Sequence, residues 1–320
     1  MHATGGAADV VDAGGQGGPG RSRYVGPYVL ITGLDDSHSR IPVPERRYVA
    51  RSADGEHTVL LSLPGTGGDP QRFLAEAEAS RYLLGPSAAP ATAFSGPGEP
   101  AWYARPYQPA LPLPTVLAVH GGPLPERTVR ALGVALAETL TVVHGQGLTF
   151  AGVSPAAVLC AADMPQLTCF GAVRAAAPDG TPRSGLPGLE TGSLPPEQAS
   201  GGRPRPLGDV YALGATLAYA ATGCTTPERD EIPAGIRMVI ARCLSRDPGD
   251  RPQLNELMDE LVGDPAPDET GAESRSAALL TPGWLPGRVI AALAHQAAAV
   301  LAAELPAVSA PAAHPSHSRN

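Results

Sequence analysis

From Pro125 onward the chain carries an apolar stripe that fixes one long element: Val129, Leu132, Leu136, Leu140 and Val143 recur at three- and four-residue steps up to His144. That period predicts an amphipathic helix with a single buried face. The helix delivers the chain into His144–Gly171, HGQGLTFAGVSPAAVLCAADMPQLTCFG, the stretch around which the remainder is organised.

Upstream, VGPYVLITGL (25–34), RRYVARS (46–52) and HTVLLSLP (57–64) are short β-rich runs, with the turn ADGE between the last two. This is the spacing of a meander. Asp69 followed by Pro70 supplies an N-cap acceptor and a proline for the first helical position, so a helix is predicted over DPQRFLAEAEASRYLLGP, ending at Gly85-Pro86.

With 320 residues and 43% hydrophobic content, the chain is long enough for one domain with sizeable cores plus tails. A formal net charge of −8 and a pI near 5.5 argue against nucleic acid or an anionic membrane as the main partner. All 23 basic residues are arginine. The missing lysine excludes a Walker-type phosphate lysine and a Schiff-base enzyme. Cys160, Cys169, Cys224 and Cys243 have no C-x-x-C spacing and read as reduced, buried cysteines. The N-terminus has neither a basic nor an apolar signal region, and a cytoplasmic location is expected.

The series of motifs resembles the eukaryotic-like Ser/Thr protein kinases of bacteria, of the actinobacterial type. In that family a helix ending in a His-x-x-Gly turn leads into H-R-D-L-K-P-x-N and then, past a hairpin, D-F-G. Phe150, Ala151 and Gly152 stand where the family has His, Arg and the catalytic Asp. Ser154 replaces its Lys, Ala157 its metal-binding Asn and Cys169 the D-F-G Asp, whereas Pro155, Phe170 and Gly171 are kept.

The resemblance extends in both directions. Ser62 of Val59-Leu60-Leu61-Ser62 falls on the strand lysine and Glu76 on the helix glutamate that pairs with it, which leaves Glu76 as a solvated residue. GLDDSHSRIPVPE keeps only Gly33 of the glycine-rich loop and puts Asp35 and Asp36 where phosphates would lie. In AWYARPYQPALPLPTVL (101–117) Arg105 falls on the gatekeeper and Pro106-Tyr107 on the hinge. Pro195-Pro196-Glu197 resembles A-P-E, Gly208–Gly214 resembles S-D-V-Y-S-L-G, and ARCLSRDPGDRP (241–252) supplies Arg251; residues 253–262 close the domain.

The implied fold is α+β and two-lobed, a small antiparallel sheet with one helix above a larger, mainly helical lobe. Its expected parts are an N-terminal tail (1–23), an upper lobe and hinge (24–109), a lower lobe (110–262), a linker (263–282), an Ala-rich helix (283–306) and a C-terminal tail (307–320). The helix is too short and interrupted to span a membrane. Trp284, Val289, Leu293, Val300 and Leu301 give it a face that docks on the domain or on a partner.

Phosphoryl transfer runs on positioning and charge neutralisation, and the substituted positions are the ones it depends on. The sequence therefore predicts a pseudokinase that takes no cofactor and no metal and binds a protein partner as scaffold or regulator. An alternative is a kinase with rerouted chemistry that draws on Asp35, Asp36 or Asp163. A second is a metal-independent small-ligand sensor that uses the pocket at Gly33, Arg105, Pro106 and Tyr107. Structural roles implied by the resemblance are a buried Glu197–Arg251 ion pair, Asp209 capping amides near Phe150-Ala151-Gly152, and Phe150 packing on Phe170.

Overall fold

The computed structural model describes residues 24–36, 39–263 and 274–304. The tails expected at 1–23 and 307–320, and residues 264–273 of the expected linker, lie outside the described residues. Strands β1 (Tyr24–Val25), β2 (Tyr28–Gly33), β3 (Glu45–Ser52) and β4 (Thr58–Pro64) precede helix α1 (Pro70–Ala79), and β5 (Ala93–Phe94) and β6 (Tyr103–Pro106) follow it. They form one antiparallel sheet in the order β1-β2-β3-β4-β6-β5.

Side chains alternate across a strand with period two, so Glu45, Arg47, Val49 and Arg51 share one face of β3. Glu45, Arg47 and Val49 are buried. That face looks down on the lower lobe, and most of the site described below hangs from it.

Helix α1 starts on the Asp69 cap, whose carboxylate accepts from the Gln71 and Arg72 amides. It ends at Ala79, short of the predicted Gly85-Pro86, and passes into a single 3₁₀ turn at Ser80–Tyr82. Ser80 turns its hydroxyl back to the Ala77 carbonyl, 2.6 Å, and accepts from the Ala91 amide, so a side chain competes with the helix ladder there. Tyr82 and Leu84, inside the predicted helix, are exposed.

The lower lobe contains β7 (Ala110–Pro112), α2 (Leu113–His120), α3 (Glu126–Gly145), β8 (Val158–Ala161), β9 (Pro165–Leu167), α4 (Ala172–Ala176) and α5 (Pro196–Ala199). It continues through α6 (Pro206–Thr222), α7 (Ala234–Cys243) and α8 (Leu254–Val262). The α3 stripe is sealed: Val129, Leu136, Leu140 and Val143 are 0% exposed and Leu132 is 1% exposed. Gly133 lets α6 and α8 close on it, since a Cβ there would lie 2.5 Å from a Leu261 methyl and 3.0 Å from a Leu217 methyl.

Within the stretch expected as a linker, α9 (Arg275–Leu279) is formed and anchored. The Ser274 and Ser276 hydroxyls and the Ser276 amide all donate to the Glu138 carboxylate on α3. Helix α10 (Gly287–Ala302) docks on its own domain through buried Trp284, Leu285, Val289 and Leu293, with the Trp284 indole donating to the Ala162 carbonyl at 2.9 Å. Leu301, expected on that face, is 79% exposed. Cys224 is exposed too, contrary to the buried state expected of all four cysteines, because it sits in the turn after α6 rather than in a core element. No described helix is long and apolar enough to cross a membrane.

Candidate functional site

The floor of the inter-lobe cleft is set by Asp209, in the first turn of α6 and 1% exposed. Its carboxylate accepts from the Phe150 and Ala151 amides, at 2.7 and 2.8 Å, and lies 2.9 Å from His144 Nε2 at the end of α3. The segment held this way pairs with 169–173: the Gly171 amide donates to the Phe150 carbonyl and Val173 to Ala151, both at 2.9 Å. Phe150 is fully buried and meets Phe170 edge-on, with ring centroids 5.5 Å apart.

Ala151 and Cys169 have φ of +52° and +62°, the only positive values at non-glycine residues among the described residues. Such backbone costs of order 1–3 kcal/mol per residue unless its surroundings enforce it. Gly152 shows how closely the two segments meet, because a Cβ on it would lie 1.9 Å from the Cys169 carbonyl oxygen. Any side chain at this position therefore requires the Cys169 backbone to shift.

Above this floor the cleft is filled by charges from the upper lobe. Arg47 is wholly buried; its Nε donates to Asp35 at 2.9 Å, its Nη2 also meets Asp35, and its Nη1 donates to the Thr168 hydroxyl at 3.2 Å. Burial alone would lower the Arg47 pKa, but Asp35 facing it more than offsets that and the net shift is upward. Asp35 is thus brought into the cleft and neutralised there. Asp36 beside it is exposed, and Asp163 sits exposed at the β8–β9 turn, where it accepts from the Met164 amide.

Next to Arg47, Ser62 on β4 donates to Glu45 at 3.1 Å, and the Tyr103 hydroxyl donates to the other Glu45 oxygen at 2.5 Å. Arg105 donates to the Tyr103 hydroxyl, 2.7 Å, and to the Ala89 carbonyl, 3.0 Å, and stands 3.9 Å from Glu45. Burial is the main cause that pushes Tyr103 well above its ordinary value, so it stays a phenol. Burial, reinforced by Glu45, pushes the Cys169 thiol up to about 12, so it stays a thiol.

Ser154 and Ala157 serve the local turn. The Ser154 hydroxyl accepts from the Ala157 amide at 3.3 Å, and the Ala157 carbonyl accepts from Thr168. No cluster of three or more His, Cys, Asp or Glu suited to a metal occurs among the described residues.

Glu76 is not the solvated residue the sequence suggested. Arg174 of α4 grips it through Nε and Nη2, at 2.6–2.9 Å, while donating to the Thr149 carbonyl and lying 4.9 Å from the Phe170 ring. Arg174 follows Cys169-Phe170-Gly171 by three residues, and sequence reasoning missed it because its reach depends on α4 packing against α1. Glu197 and Arg251 meet through two hydrogen bonds, at 2.7 and 3.0 Å. Arg251 is fully buried, whereas Glu197 keeps 34% of its side chain exposed, so the pair is half-buried rather than buried.

The slot beside Pro106 and Tyr107 is closed by apolar side chains. Leu34, Val49 and Leu60 from the upper lobe and Ala110, Leu159 and Ala161 from the lower form one buried cluster, with Tyr107 against it. Val300 of α10 is a member. Gly33 ends β2 in the open and Pro106 is exposed. Behind the slot, a cavity of ≈ 300 Å³ is lined in part by Glu45, Glu76, Tyr103, Arg105, Cys169 and Phe170.

The chain is similar to several bacterial enzymes. It is 30% identical over 274 residues to a probable serine/threonine-protein kinase PkwA of Thermomonospora curvata, covering 79% of this chain and 36% of that protein. To the serine/threonine-protein kinase AfsK of Streptomyces coelicolor it is 27% identical over 293 residues, 84% of this chain and 35% of the relative. To PknK of Mycobacterium tuberculosis it is 30% identical over 293 residues, 80% and 24%. The chain thus spans about a third or less of the length of these relatives. No family model matches it.

Proposed function

The chain belongs to the eukaryotic-like Ser/Thr protein kinase family of bacteria, and from that premise we propose that it is a pseudokinase, a non-catalytic scaffold or regulator that binds a protein partner. The observation that carries this reading is the contact of Gly152 with the Cys169 carbonyl. In the family's pattern Gly152 stands at the catalytic base, and here the opposing backbone takes the volume such a side chain needs.

The surrounding charges support the same reading. Phosphoryl transfer needs Mg²⁺ held by oxygen ligands and a cation on the phosphates. The metal positions carry Ala157 and Cys169, a methyl and a sulfur where that ion takes oxygen, and they do not fit it. Arg47 and Asp35 satisfy each other, and Ser62 is committed to Glu45. A positioned general base alone contributes roughly 10²–10⁴ in rate. Meanwhile Asp209 and the paired backbones hold Ala151 and Cys169 in two unfavourable conformations. A maintained frame without its chemistry suits a surface that partners read.

The test is phosphotransfer by the full chain with labelled ATP and Mg²⁺ or Mn²⁺, to itself and to a generic protein substrate. No incorporation is expected. Incorporation that Asp35→Asn abolishes would replace the scaffold with a kinase rerouted through Asp35.

A further inference from the structure

We propose that the C-terminal turn of α10 is an internal plug of the slot between the lobes, held from the upper lobe by Arg51 and closing the slot to flat, uncharged bases that would otherwise take the same apolar surface. This rests on the reading above only in that the slot is a vestige; it adds what occupies it.

Three observations carry the proposal. Val300 is 3% exposed and shares one buried cluster with Val49 and Leu60 above and Leu159 and Ala161 below, so a residue from the end of the chain joins the surfaces that line the slot. Arg51, on the slot-facing side of β3, donates to the Val300 carbonyl at 2.5 Å and to the Ala303 carbonyl at 3.1 Å. The last carbonyls of a helix lack partners within it and carry the negative end of its dipole, so a guanidinium there is both a cap and a counter-charge. Helix α10 contributes no such cap itself, since its last turn has no basic residue. The cap comes from the opposite lobe.

The third observation is an imperfect seal. Tyr107 Oη, packed against the slot cluster, and Gln296 Oε1, four residues before Val300 on α10, are buried with no hydrogen-bond partner among the described residues. Buried polar atoms left unpaired oppose the packing that buries them. By contrast, the start of α10 is anchored by Trp284, Leu285, Val289 and Leu293 in the lower-lobe core, and the Trp284 carbonyl accepts from Thr128 at 2.7 Å. One end of the helix is fixed and the other is held by one apolar side chain and one arginine, the arrangement of a strap that opens from its free end.

The experiment compares the full chain with Val300→Asp, Arg51→Ala and, as control, Leu301→Asp, whose residue is 79% exposed on the same turn. Amide exchange of residues 296–302 is expected to accelerate about tenfold or more in the first two variants, with 126–145 unchanged. Leu301→Asp should match the native chain. Millimolar adenosine without metal is then expected to raise the melting temperature of Val300→Asp and Arg51→Ala, and to leave the native chain where it is. Unchanged exchange in both variants, equal acceleration in Leu301→Asp, or released variants that ignore adenosine would each overturn the plug. All three results leave the non-catalytic reading standing. A shift in Val300→Asp that needs Mg²⁺ and ATP and is accompanied by phosphotransfer would sink that reading instead, and would keep the plug as the gate of an active site.

Discussion

Gly152 is the residue at which sequence and structure press hardest on each other. Adding one methyl there forces the Cys169 carbonyl to move, and overpacking a well-filled site typically costs about 1–3 kcal/mol. Gly152→Ala is therefore expected to lose about that much in denaturant unfolding, while Gly33→Ala, where a Cβ meets nothing within 4 Å, stays near native. Equal stability of the two variants would mean that the segments part easily and that a base could be accommodated. At this scale the sequence was informative wherever a role needs only the chain's own frame. Asp209 is placed by its position in α6 and acts on main-chain amides, which survive any change of side chain at Phe150 or Ala151. Arg47 was not legible, because its neighbours Thr168 and Asp35 are set by the register of β3 and the course of the chain after β2.

Between elements, the tie that sequence reasoning missed is the one from α1 to α4. Glu76 and Arg174 make a forked ion pair with 19% and 28% of their side chains exposed, which places it between a surface pair and a buried one. Fork geometry and the Phe170 ring on Arg174 favour a measurable coupling. A double-mutant cycle of Glu76→Ala and Arg174→Ala is expected to give about 1–2 kcal/mol. A coupling near zero would show that α4 is positioned by its apolar contacts alone. Periodicity exposed α3 because its stripe runs for about four turns, whereas α4 has only five residues and α1 lost its last turn to a serine hydroxyl. Short elements carry too few residues for a period to register.

For the molecule as a whole, the two-lobed plan was legible because the meander, the long helix and the motif series come in a fixed order. The docking of α10 was legible only as a choice between its own domain and a partner, since an apolar face does not name what covers it. A cleft that has exchanged nucleotide chemistry for internal contacts gives ATP nothing to hold, and thermal unfolding of the full chain with and without millimolar Mg-ATP reads that out. A ligand that binds only the folded state stabilises it by about 2.7 kcal/mol at a hundredfold excess over Kd, which is a shift of several degrees for a domain of this size. No shift is expected. A clear Mg²⁺-dependent rise in melting temperature, removed by Asp35→Asn or Glu45→Gln, would contradict that expectation.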